Sequence, residues 1–322
     1  MAVAALALLA AGQALPQKAL PPRVDAMSIP LVDEVAPPSY PEGSTERAVF
    51  DILNAARAKG NFGLLAQDAR LDAAAAAHAG YLARNPVRGL THGESADEPG
   101  FTGETPMARA RAAGFSPATS LEVLSGGASV SGCLELLNTV YHLSLLTIGA
   151  TQVGIGVHAR AGCVIDMHLP LHNRGMQVRR GGTVGVYPYP DQEGVPTEFL
   201  PDSETPRPPL EAGVREVGPP ILVDLTSKDT GVLRASDIVL SRFVLKEAAT
   251  ERPVAATVLA SVGVSATADA GLVYRADAAV VSSGHVFLVP TRPLKAATTY
   301  AVDFEGWVKG VAVGRRWQFT TR

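Results

Sequence analysis

Between residues 173 and 220 the chain turns proline-dense and polar, and the pattern of apolar residues changes across that stretch. The run YPYPDQEGVPTEFLPDSETPRPPLEAGVREVGPP has no helical period, and its prolines rule out a helix interior or a central strand. Before it, apolar residues at three-to-four spacing alternate with short apolar runs. After it, only strand-like runs recur: PILVDLTS, DIVLSRFVLKE, AATVLASVGV, HVFLVPT, TTYAVDFEGWV and WQFTT. A chain divided in this way is expected to be α+β. An α-β-α sandwich should occupy 44–172, and an antiparallel β-sandwich 221–322, with 173–220 a linker or the irregular start of the second domain.

The first part specifies its helices by period and by caps. ERAVFDILNAARAKGN places Val49, Ile52, Leu53 and Ala56 on one face, with Ser44 or Thr45 as N-cap and Gly60 as the stop. A second helix follows Asp68 as cap, with Leu71, Ala75, His78 and Leu82 on one face, and Pro86 ends it. His78 is read as a helix histidine that packs its ring and bonds a neighbour. A third helix runs through TPMARARAAGF, with Pro106 in its first turn. A fourth is expected from Val130 to Leu146, with Cys133, Leu136, Leu137, Val140 and Leu145 inward. QVGIGVHARAGCVIDMHLPL reads as two strands around a turn at Ala161-Gly162.

The 322 residues are 47% hydrophobic and 18% charged, the balance of a packed globular chain. A net charge of −3 gives no basic footprint for nucleic acid or an anionic membrane, and a monomer is expected. The opening MAVAALALLAAGQA is too short to span a bilayer. It reads as a signal segment over 1–16 that lacks a basic n-region. Residues 17–43 read as a proline-rich arm. The expected location is therefore secreted or cell envelope. The chain has two cysteines, Cys133 and Cys163. They form either one disulfide or two buried thiols. A bridge would stabilise by roughly 3 kcal/mol in the chain-entropy model.

Several segments in order resemble the CAP superfamily (cysteine-rich secretory proteins, antigen 5, pathogenesis-related proteins) in its short bacterial SCP-like form. They are LNAARAKGNFGLLAQDARLDAAAAAHAGYLA, the TH at 91–92, ETPMARARAAGF, LEVLS, and YHLSLLTIGATQVGIGV. The tail, from the strand with Pro290 through LKAATTYAVDF to WQFTT, is similar to a bacterial immunoglobulin-like domain. The resemblance implies an α-β-α sandwich with a central cleft. It assigns the cleft histidines to His92 and His142 and the cleft acid to Glu122. It also implies a divalent metal, zinc first, held by His92, Glu122 and His142, with Glu122 as a ligand-binding acid; Glu94, two residues after His92, is a further ligand-binding acid by its position. The sequence departs from the family pattern at Leu121, Val123 and Leu143, which flank the acid and the second histidine, and at Leu136.

Three functions follow as expectations. One is a non-enzymatic module binding a small molecule or lipid, or a component of the cell envelope. Another is a hydrolase, through a metal-bound water or through Ser95 or Ser125 with a cleft histidine. The sequence has neither HExxH nor GxSxG to support that. The last is a structural envelope protein in which the cluster only fixes loops. Asp166, His168 and His172 read as polar residues at a sheet end, and His285 as isolated in a strand.

Overall fold

The structure is a computed structural model that describes residues 28–116, 120–170, 175–228, 233–280 and 282–322. The expected signal segment, the start of the arm and His172 lie outside the described residues.

In chain order the first part contains β1 (Ile29–Pro30), α1 (Thr45–Lys59), β2 (Ala66–Gln67), α2 (Ala69–Arg84) and α3 (Pro106–Ala112). It continues with β3 (Ser120–Ser125), α4 (Val130–Leu134), α5 (Val140–Thr147), β4 (Gln152–His158), β5 (Gly162–His168) and β6 (Gln177–Val178). The caps are those read from sequence. The Ser44 side chain accepts from the Arg47 N–H, and Asp68 accepts from the Arg70 N–H. Four strands form one sheet in the order β2-β4-β5-β3, parallel only between β2 and β4.

Strand alternation divides the work of the two sheet faces. Val123, Val153, Ile155, Cys163, Ile165 and Met167 pack with α1, α4 and α5 in one large core. Leu124 and Val164 face the other way and pack on Ala75 and Ala79 of α2. Gly154 and Gly156 of β4 lie directly under α2. A Cβ on either would strike the backbone at Leu71–Asp72 or Ala75–Ala76, so the QVGIGV pattern is what lets this helix seat on the sheet. The result is helix, sheet, helix in three layers.

The expected helix over 130–146 is broken. A 3-10 turn, Glu135–Asn138, follows α4, and Thr139 is extended (φ −120°, ψ 158°) before α5 begins. The restart has a distant cause. Glu204 accepts from the backbone N–H groups of Val140, Tyr141 and His142, which a continuous helix would have bonded internally.

The second part contains β7 (Gly185–Tyr187), β8 (Gln192–Val195), β9 (Ile221–Asp224), β10 (Ile238–Glu247), β11 (Pro253–Val254) and β12 (Ala256–Ala260). β13 (Ser265–Ala266), β14 (Val273–Ala276), β15 (His285–Pro290), β16 (Thr299–Val308) and β17 (Val311–Thr321) complete it. One sheet runs β11-β10-β16-β17-β8 with β13 beside β10, and the other β14-β12-β15-β9-β7. They face each other across Val223, Val286, Leu288, Leu240, Phe243, Phe304 and Phe319. The main ladders are antiparallel, while β13, β14 and β8 pair in parallel. Two strands, β7 and β8, arise from the proline-dense segment and join these sheets.

The two halves share a core. Leu222, Leu259, Phe287 and Val289, on the outer face of the second sheet, belong to the same apolar cluster as α1 and α5. Tyr141 donates to Asp277 at 2.9 Å, and Ser144 Oγ lies 2.7 Å from His285 Nδ1.

Candidate functional site

Between the sheet and the α2/α3 layer lies a buried polar cluster. Register sets its floor: Glu122 on β3 pairs with Asp166 on β5, which pairs with Gly154 on β4. Leu124 faces α2, and residues two apart share a face, so Glu122 points there as well. α2 supplies His78 and α3 supplies Arg109. The loop between those helices supplies His92 and Glu94.

Arg109 is fully buried and joins the acids. Its Nη2 lies 2.6 Å from Glu122 Oε2, and its Nε lies 3.7 Å from Glu94 Oε1. Its Nη1 donates to the carbonyls of His92 and Gly103, which closes the loop onto the helix. Glu94 accepts from the Thr102 N–H at 2.6 Å, from the Gly103 N–H and from the His78 ring at 2.8 Å. His78 Nε2 faces the Thr91 carbonyl, also at 2.8 Å. Both ring nitrogens therefore face acceptors.

The other oxygen of Glu122 faces His92 Nδ1 at 2.8 Å. Burial pushes the Glu122 carboxyl up, but the hydrogen bond to His92 and the charges of Arg109 and His78 outweigh it and hold the group below its usual range. Asp166 goes the other way. Burial first, then the neighbouring Glu122 charge, raises it well above the ordinary aspartate range. Apart from the Glu122 carboxylate, neither of its oxygens has a hydrogen-bond partner. It is thus a fully buried acid in mid-strand, not the sheet-end polar residue expected from sequence. His92 differs from the rest: its side chain is 54% exposed. A carboxylate orients one face of its ring and solvent meets the other, which suits proton exchange or hydrogen bonding to a ligand.

His142 stands apart from this cluster. It is carried by α5, in the layer on the opposite face of the sheet. Its Nδ1 lies 2.9 Å from Thr139 Oγ1 and 3.2 Å from Glu204 Oε1, and it bonds neither His92 nor Glu122. Among the described residues no three His, Cys, Asp or Glu side chains are grouped as a metal ion needs. The donor chemistry agrees. Both oxygens of Glu122 are committed, one of them to a guanidinium that would repel a cation. The expected zinc set of His92, Glu122 and His142 does not fit residues placed in this way.

The serine route finds no support at Ser125. Ser125 Oγ hydrogen-bonds the Gly132 carbonyl and Glu135, and no histidine. A Ser-His-Asp alignment does occur elsewhere. Ser144 lies 2.7 Å from His285, whose Nε2 lies 3.5 Å from Asp224. Ser144 is a completely buried residue of α5, so its hydroxyl cannot meet a substrate carbonyl. The alignment is a strut between the halves, and His285 is not isolated.

His142 instead borders a second feature, an open cleft of about 410 Å³. Leu90, Leu124, Leu136, Phe199 and Leu200 supply its apolar wall, and Ser125, Glu135, Asn138, Thr139, His142, Glu198, Ser203 and Arg322 supply polar groups around it. The segment around 196–203 forms one side. Sequence reasoning missed Arg109 and Glu204. The arginine sits in a helix rich in arginine, and the glutamate lies in what read as a linker.

No family model matches the chain, and no curated protein matches it. Among solved structures the chain is similar to an extracellular protein containing an SCP domain from Bacillus anthracis str. Ames. The likeness has 20% identity and a TM-score of 0.34, and covers 38% of this chain and 40% of that one. A similarity this slight assigns neither a fold nor a role. Fold and site together define a mixed α+β protein with a buried acid-base cluster and a separate apolar-walled cleft.

Proposed function

We propose that this chain is an exported, CAP-like binding protein with no enzymatic step, taking a small amphipathic or lipid-like molecule in the cleft beside His142. The observation that carries the reading is the wall of that cleft. Leu90 is 52% exposed and Leu200 is 49% exposed, and they lie at the same opening. Apolar side chains exposed beside a concave surface with a few polar groups are the usual composition of a small-molecule site. The Cys133–Cys163 disulfide supports an oxidising compartment, and hence export. The order of α1, α2, His92, α3, Glu122, α5 and β4 supports the CAP-like reading. The buried cluster then serves to hold the His92 loop against the sheet.

The test is binding of an environment-sensitive fluorescent fatty acid to the purified full chain. Leu200→Glu and Leu90→Glu place an anion at the opening, at positions about half exposed to solvent, and each should weaken binding of the fatty-acid carboxylate at least about tenfold. Equal affinity in both variants and the parent would remove the cleft from consideration.

A further inference from the structure

A second cavity, about 280 Å³, lies between the two halves. Arg57 and Gln177 line it from the first part. Arg179, Asp224, Ser283 and His285 line it from the side of the second. We propose that it is a binding site for a small oxyanion of the phosphate or sulfate class.

The argument begins with charge. Arg57 and Arg179 are 1% and 4% exposed, so both guanidinium ions are out of water. Asp224 is committed to Arg179, with Oδ2 at 2.5 Å from Nη2. Among the described residues no carboxylate lies within ion-pair distance of Arg57. Carbonyl oxygens of Gly63, Leu146 and Ile148 receive its hydrogen bonds, which solvates the charge without cancelling it. The strain is visible in its acidity. Burial, then the charge of Arg179, pulls Arg57 down to about 9, offset only in part by Asp224. A buried cation without a counter-ion is costly, and an anion in the adjoining cavity removes that cost.

Donors are also in surplus. An arginine has five N–H groups, and three of those on Arg57 are accounted for by those carbonyls. Arg179 Nε is buried and has no hydrogen-bond partner, and His285 Nε2 is buried with only Asp224 Oδ2, at 3.5 Å, beside it. Donors from two chain segments, with net positive charge and too few acceptors, match the several acceptor oxygens of a tetrahedral oxyanion. The site is separate from the apolar cleft, so either can fail alone.

Inorganic phosphate is the probe, titrated into the full chain by calorimetry and thermal melting at ionic strength matched with sodium chloride. The parent should bind it, and its Tm should rise by about 5 °C when phosphate exceeds its Kd a hundredfold. Ser283→Glu brings a carboxylate to the cavity wall. It should lower phosphate affinity at least about tenfold, while Ser283→Ala binds as the parent does. No heat and no melting shift in the parent overturns the proposal whatever the variants do. Phosphate binding by Ser283→Glu equal to that of the parent overturns it as well.

Discussion

Glu204 Oε1 accepts a 2.7 Å hydrogen bond from the backbone N–H of Tyr141, 63 positions earlier in the chain. The same carboxylate accepts from Val140 and His142 and touches the His142 ring. Thr139, in the N-cap position, makes no side-chain cap to α5. A buried acid from the proline-dense segment therefore does the capping, where the helix dipole favours negative charge. It also fixes the imidazole that borders the apolar cleft.

Removing this cap should be felt across the molecule. Glu204→Ala is expected to lower stability by about 2 kcal/mol, because it leaves buried N–H groups without an acceptor. Glu204→Gln retains one acceptor oxygen without the charge and should lose about half as much. Equilibrium urea denaturation measures both. A loss within error of zero for Glu204→Ala would mean that α5 is held by packing alone.

Asp166 makes stability depend on pH in an unusual direction. Its acidity is weakened in the fold, so the folded state binds its proton more tightly than the unfolded chain does. That contribution is complete below the ordinary aspartate value of 3.8 and is lost as pH rises through the folded value. Glu122 behaves oppositely. Its contribution is present above 4.5 and is lost as pH falls through its lowered value. Asp166→Asn supplies a permanently neutral group of the same shape. It should be more stable than the parent near pH 8, with the difference shrinking toward pH 4. Denaturation curves across that range decide it, and an equal difference at both ends would show that Asp166 is not the titrating group.

How much of this was legible beforehand depends on how local each cause is. The helix starts at Ser44 and Asp68 and the hairpin of β4 and β5 follow from neighbours in sequence, and the residues named them. The pairing of His92 with Glu122 came through resemblance, since 30 positions separate them and no spacing rule joins them. The break before α5 was not legible, because Glu204, outside any local window, causes it. Arg109 was hidden for a related reason. Only the fold shows that one arginine of α3 is turned inward between two acids while Arg111 remains exposed.

The Cys133–Cys163 disulfide ties α4 to β5 and spans a separation of 30 residues. Opening a loop of that length should cost roughly 3 kcal/mol, mostly through the unfolded chain. Replacing both cysteines by serine, or melting the parent in excess dithiothreitol, should lower the Tm by several degrees. The oxidised parent serves as reference. An unchanged Tm would show that Cys133 and Cys163 contribute as packed side chains rather than as a crosslink.

The shared core makes the two halves one cooperative unit. Leu222, Leu259, Phe287 and Val289 close the apolar surface of α5, and the Tyr141–Asp277 and Ser144–His285 bonds would lose their partners if the halves parted. Both tryptophans, Trp307 and Trp317, lie in the second half, whereas the α-helices lie in the first. Tryptophan fluorescence and helical circular dichroism thus report on different halves. In urea the two signals should give coincident transitions for the full chain. A chain ending at residue 181 should lack a cooperative transition and bind a dye that senses exposed apolar surface, because α5 has lost its cover. Separate midpoints in the full chain, or a cooperative melt of the shortened one, would instead make the halves independent domains that merely touch.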